Sequence, residues 1–136
     1  MIYDYLKKVR AVLNTDATII AAIGANNVRV RELPFRKIPK QITLKSIVGN
    51  SNSIIPSAEA TLYVYVWISQ KESSTPYITA RQISERVVDL LNRKGESFNT
   101  SDLILNQLWK NSMETYYDEP TEYWVSVISF RVVTND

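Results

Sequence analysis

The feature that most constrains this chain is a strand-then-helix pair between Ala60 and Asn92. In the strand, Leu62, Val64, Val66 and Ile68 alternate with Thr61, Tyr63, Tyr65 and Trp67. Side chains point to opposite faces at a period of two, so one face is aliphatic and the other aromatic. Ser69 to Thr75 is a polar linker, and Pro76 suits the first turn of a helix, where its missing N–H is not needed. Ile83, Val87, Leu90 and Leu91 then recur at helical spacing, with Arg81, Glu85, Arg86 and Asp89 between them. Neither member can stay in water alone, so the rest of the chain is expected to cover them.

Upstream, Ile2, Leu6, Val9 and Leu13 form one stripe, with Lys7, Lys8 and Arg10 off it, which predicts an amphipathic helix over Ile2 to Leu13. Asp16 is placed to cap a second helix, Ala17 to Ile23, and Gly24 to stop it in a left-handed conformation. Val28 to Arg31 alternates as a short strand. Pro34 and Pro39 bracket an extended connection, Gln41 to Val48 reads as a half-exposed strand, and Gly49 to Ser53 as a flexible hairpin tip closed by Ile54-Ile55-Pro56. Downstream, Gly95 is the expected end of the long helix and Phe98 to Asp102 a turn. Leu103 to Lys110 reads as a strand, although Leu103-Ile104-Leu105 would fit a helix as well. Tyr116 to Pro120 reads as a strand end and turn, and Glu122 to Val133 alternates as a strand. Strands follow strands, so the pairing should be antiparallel. The expectation is a single α+β domain over residues 1–136. It has a mainly antiparallel sheet of four to six strands, a long helix on one sheet face and an N-terminal helix pair. Residues 34–59 supply an extended connection, a strand and the hairpin loop.

The residue inventory excludes more chemistry than it supplies. There are no cysteines and no histidines. Disulfides, zinc fingers, iron–sulfur sites, cysteine proteases and Ser-His-Asp hydrolases are thereby excluded in their usual forms. Sixteen Lys and Arg against fourteen Asp and Glu leave a net charge of +2, too small by itself to argue for nucleic acid or an anionic membrane. No apolar run approaches the ~18 residues of a membrane-spanning helix. An N-terminal helix carrying both acids and bases is not the pattern of a secretory signal. These features predict a non-enzymatic protein without a cofactor or metal, made in the cytosol.

Charge is unevenly distributed along the chain. From Arg29 to Lys45 there are six bases and one acid; from Glu96 to Glu122 there are six acids and one base. The basic segment could grip phosphates, both segments could be solvated surface, or they could be two edges meeting head to tail in a ring of subunits. On the ring reading, Arg29, Arg31, Arg36, Lys37 and Lys40 form one contact edge, and Glu114, Asp118, Glu119 and Glu122 the other. Tyr63, Tyr65 and Trp67 could stack nucleic-acid bases. Alternatively they form a second packing surface, covered by the N-terminal helix or a neighbouring subunit. Asp118, Glu119 and Glu122 are close enough in sequence for a hard cation, but Pro120 lies among them and the spacing matches no calcium loop.

The order of parts carries a resemblance. An N-terminal helix, the segment Asp16 to Gly24, the short strand Val28 to Arg31 and a Pro-bearing connection come first. The strand Thr61 to Ile68, the helix Pro76 to Leu91 and the Tyr-bearing last strand Tyr123 to Val133 follow. This order resembles the tail completion or tail terminator proteins of long-tailed bacteriophages. The resemblance implies a structural virion protein of the neck, assembled in the host cytoplasm. Its subunits form a hexameric ring that caps the tail tube and joins it to the head connector, or stopper, protein. DNA passes through such a ring without specific binding, and no membrane is involved. The Phe35 to Pro56 segment is longer and more basic than that pattern, which keeps another neck or head-completion protein as an alternative. A small single-stranded nucleic-acid-binding module is the alternative from a different class.

Overall fold

The computed structural model describes residues 5–52, 57–71, 74–99 and 104–135. It is an α+β fold of two layers. Helices α1 (Tyr5–Thr15), α2 (Ala17–Ile23) and α3 (Pro76–Leu91) lie on one face of a sheet. The strands are β1 (Val28–Val30), β2 (Lys40–Asn52), β3 (Ser57–Ser69), β4 (Ile104–Asp118) and β5 (Tyr123–Asn135). Among the described residues the sheet has five strands in the order β1-β2-β3-β5-β4. Strand β3, the stretch with two apolar faces, is therefore central.

The core forms where the helices meet the aliphatic face of the sheet. Leu62, Val64, Val66 and Ile68 of β3 pack beside Ile42 and Leu44 of β2 and Ile128, Phe130 and Val132 of β5. Leu6, Val9 and Leu13 of α1 and Ile83, Val87 and Leu91 of α3 close over them. Each buried aliphatic side chain of this size stabilises the fold by about 1.5–3 kcal/mol. The expected stripe on α1 is thus present, although Ile2 lies outside the described residues. Tyr5 joins the stripe, its hydroxyl 2.7 Å from Ser46 Oγ.

Local signals set the helix boundaries. Asp16 Oδ2 accepts from the Ile19 N–H at 3.1 Å, and Gly24 closes α2 at φ 89° while its N–H donates to the Ile20 carbonyl. A side chain at Gly24 would face both that left-handed strain and Asn27 Nδ2 at 3.0 Å. Gly95 does not end α3. The helix stops at Leu91 and the left-handed residue is Arg93, at φ 62°, whose N–H donates to the Leu108 carbonyl at 2.8 Å. Gly95 instead starts a 3₁₀ turn, Gly95–Phe98, pressed against β4, where an added Cβ would lie 3.3 Å from the Leu105 carbonyl.

Two expectations about strands are corrected. β1 pairs with β2 in parallel, Val28 opposite Ile42, so the sheet is mixed. The chain must then return from the end of β1 to the start of β2, and the Pro34–Pro39 segment makes that return. The Gln41 side chain holds this segment, with Oε1 accepting from the Phe35 N–H and Nε2 donating to the Phe35 and Ile38 carbonyls. The expected hairpin tip from Gly49 is largely strand: β2 runs to Asn52 and pairs with β3 up to Ser57, across a shift between Val48 and Ser51. Ser53–Pro56 lie outside the described residues. The strand expected from Leu103 to Lys110 is present and longer: β4 runs from Ile104 to Asp118 against β5, with irregularities after Leu105 and Lys110. The expected turn at Phe98 to Asp102 begins in the 3₁₀ turn, and the rest of it lies outside the described residues.

Candidate functional site

The second face of the sheet carries no helix among the described residues. Strand register fixes its content. Tyr63, Tyr65 and Trp67 of β3 lie between Lys45, Thr43 and Gln41 of β2 and Ser129, Val127 and Val125 of β5. Glu114, Tyr116 and Asp118 of β4 complete the rows on the far side. The N-terminal helix does not cover the aromatics, because its apolar stripe is spent on the opposite face.

The aromatics form a ladder. Tyr63 and Tyr65 stack with centroids 6.2 Å apart, Tyr65 and Trp67 at 5.8 Å, and Trp67 meets the edge of Tyr123 at 6.1 Å. Trp67 is only 5% exposed and its indole N–H donates to Thr43 Oγ1 at 2.8 Å. The Tyr123 hydroxyl donates to the carbonyls of the Pro34–Pro39 return, at 2.6 Å to Ile38. One end of the ladder is therefore a small second core of Trp67, Tyr123 and Val125. Only Tyr63, Tyr65 and their neighbours remain for a partner. Burial pushes the Tyr65 hydroxyl above its ordinary pKa, and Tyr116 is raised by burial and then by the Asp118 charge. Both shifts lead away from neutral pH, opposite to what a general base needs.

The two outer edges of the sheet differ in charge. On the β1 side, Arg29 and Arg31 lie with their guanidinium carbons 4.9 and 3.6 Å from the centroid of the Phe35 ring. On the β4 side lie Glu114 and Asp118. The predicted basic and acidic groups are thus brought to opposite edges for these four residues. The others are not separated in this way. Lys40 opens β2, Arg36 and Lys37 sit in the return segment, and Glu119 and Glu122 sit in the β4–β5 turn. Arg36 and Glu122 line one groove of about 210 Å³ at the same end of the sheet. Lys45 is neutralised within the chain by Glu32 at 2.9 Å, which raises its pKa, and Arg131 by Glu59 at 2.6 Å.

Three further residues belong to these edges and were not singled out from sequence: Phe35, Trp109 and Tyr116. They are 41%, 47% and 40% exposed, enough apolar surface to matter once both edges are known to be outermost. Trp109 is partly overlaid by the Arg93 guanidinium at 5.4 Å. Strand alternation puts Trp109 and Tyr116 on a face, but only strand order puts them at an edge, and Phe35 reaches the other edge from the return segment.

Outside the sheet, a groove of about 520 Å³ runs between α1 and β1, lined by Leu6, Arg10, Asn14 and Val30 among others. Arg10 Nε donates across it to the Val28 carbonyl at 2.8 Å, which occupies part of the free edge of β1. Among the described residues no group of three acidic side chains is placed to hold a metal ion. Asp118 instead accepts from the Thr121 hydroxyl at 2.5 Å. No described helix is long and apolar enough to cross a membrane.

No protein-family model matches this chain, and no curated protein matches it. Among solved structures, the chain is similar to one in the virion of a native gene transfer agent (GTA) particle. The TM-score is 0.77 at 19% sequence identity, over 94% of this chain and 92% of that one. At that identity the likeness establishes a shared fold over nearly the full length of both chains.

Proposed function

We propose that this protein is a structural virion subunit that acts by assembly alone, as a tail terminator or completion protein. Its subunits form a closed, hexameric ring that caps the tail tube and presents a surface to the head connector. The observation that carries this reading is one sheet face, without a helix among the described residues, bounded by a basic edge at Arg29 and Arg31 and an acidic edge at Glu114 and Asp118. A head-to-tail ring needs two different, complementary edges on every subunit. The full-length likeness to a chain of a GTA virion supports a place in a particle of that kind. It supports another neck or head-completion position as well, and tube binding separates the two. Assembly would take place in the host cytoplasm, with the finished ring in the virion.

The nucleic-acid reading loses its best residue. Trp67 is buried and already stacked, so a base cannot use its face. The test is native mass spectrometry over a concentration series, alone, with a single-stranded oligonucleotide and with purified tail tubes. A discrete ring, or one formed only on tube ends, supports the proposal. A monomer that ignores tubes and binds oligonucleotide stoichiometrically would overturn it.

A further inference from the structure

We infer that Arg29, Phe35 and Arg31 form a receptor for the Glu114 carboxylate of a second copy of this chain, an inference that rests on the ring reading above. Two guanidinium groups share one aromatic ring, Arg31 directly over it and Arg29 beside it. Neither makes a hydrogen bond or ion pair with any described residue, and Arg29 Nη1 and Arg31 Nε are buried without a hydrogen-bond partner. The nearest acid in sequence, Glu32, is already engaged by Lys45. A planar guanidinium stacked on an aromatic ring loses little freedom on binding and offers paired N–H groups that match a carboxylate. The receptor is therefore oriented before its ligand arrives.

The opposite edge supplies the ligand. Glu114 stands on the helix-free face opposite Val127 and is exposed, and its carboxylate makes no hydrogen bond or ion pair with a described residue. Asp118 is a weaker candidate, since its carboxylate already accepts from the Thr121 hydroxyl. From Ser112 to Tyr117 the outer side of β4 meets no further strand among the described residues, so this stretch can approach a neighbour. The surroundings match in polarity as well as charge. Leu33 and Phe35, close to the arginines in the chain, are 58% and 41% exposed, and Tyr116, two positions from Glu114 on β4, is 40% exposed. Each edge thus joins exposed apolar groups to unneutralised charge, the composition of an interface with an apolar centre and a specifying ion pair.

The experiment is a charge exchange read by native mass spectrometry and sedimentation, with circular dichroism to confirm that every variant is folded. Arg31→Glu and Glu114→Arg should each weaken subunit association on the order of 100-fold, and the double exchange should return it to within about 10-fold of the original. Arg31→Lys keeps the charge but not the planar fork, and should fall between. Single variants that assemble normally, or a folded double variant that is no better than the singles, would overturn the receptor while leaving the ring intact. An original chain that forms no ring, alone or on tail tubes, would remove the ring reading and the receptor with it.

Discussion

The two faces of the sheet are built from the same strands and solve different problems. On the covered face, Leu62, Val64, Val66 and Ile68 are wholly buried under three helices, and polar groups there are few. On the open face, the alternate residues of the same strand are Tyr63, Tyr65 and Trp67, stacked against one another and flanked by Thr, Ser, Lys and Glu. Aliphatic side chains need a lid to stabilise anything. Aromatic ones can shield each other edge to edge and keep a polar tip in water. A face of the second kind survives in the free subunit and still has surface to give to a neighbour.

The largest effect should come from the covered face. Phe130→Ala removes a fully buried ring from the centre of the core, and equilibrium denaturation should show a loss of about 4 kcal/mol. A loss below about 1 kcal/mol would mean that the helices do not close over β5 as described.

An intermediate effect tests how the helices are fastened there. Asp16 caps α2 and accepts two hydrogen bonds from Arg86 of α3, at 2.7 and 3.1 Å. The Arg86 hydrogen bonds, the Ile19 and Thr18 N–H groups and the Arg86 charge outweigh burial and hold the Asp16 carboxyl below its ordinary 3.8. The folded state thus favours the ionised form. The stability this adds is present above the unfolded value and is lost as pH falls through the lower folded value. Asp16→Ala should cost about 1 kcal/mol at neutral pH from the lost cap. The difference from the original chain should shrink when thermal melting is repeated below about pH 4; an unchanged difference at acid pH would show that the carboxylate charge is not involved.

The smallest effect on stability should come from the open face. Tyr63→Ala removes one end of the aromatic ladder, whose ring is half-buried, and should cost under about 1 kcal/mol. Its consequence should instead appear in subunit association or tube binding, measured by sedimentation. If folding suffers and association does not, the open face is a second core rather than a docking surface.

Much of this architecture is legible in the chain. The two-faced alternation of Thr61 to Ile68, the stripe of Ile83, Val87 and Leu91, the Asp16 cap and the Gly24 stop all appear where local physics puts them. The misses share a cause. Gly95 looked like a helix stop, yet Arg93 takes the left-handed position, because the N–H it presents there finds the Leu108 carbonyl of a strand distant in sequence. The parallel pairing of β1 was hidden because a three-residue strand carries no signal of direction, and its return segment is held by the side chains of Gln41 and Tyr123. For Trp67 the sequence offers both packing and a ligand role, and only the fold brings Tyr123, 56 positions away, against it.

The sequence by itself determined where the helices and most of each strand lie, which face of them is apolar, and that no histidine or cysteine chemistry is present. Periodicity, capping and composition act within a few residues, so they can be read without knowing the fold. The tertiary structure decided the order β1-β2-β3-β5-β4. That order sends Arg29 and Arg31 to one outer edge and Glu114 to the other, while the packing of all three helices on the aliphatic face leaves the aromatic face without a helix among the described residues. Charge along a chain is only a composition until strand pairing assigns it a place in space. Pairing depends on contacts between residues far apart in sequence, which no local pattern encodes.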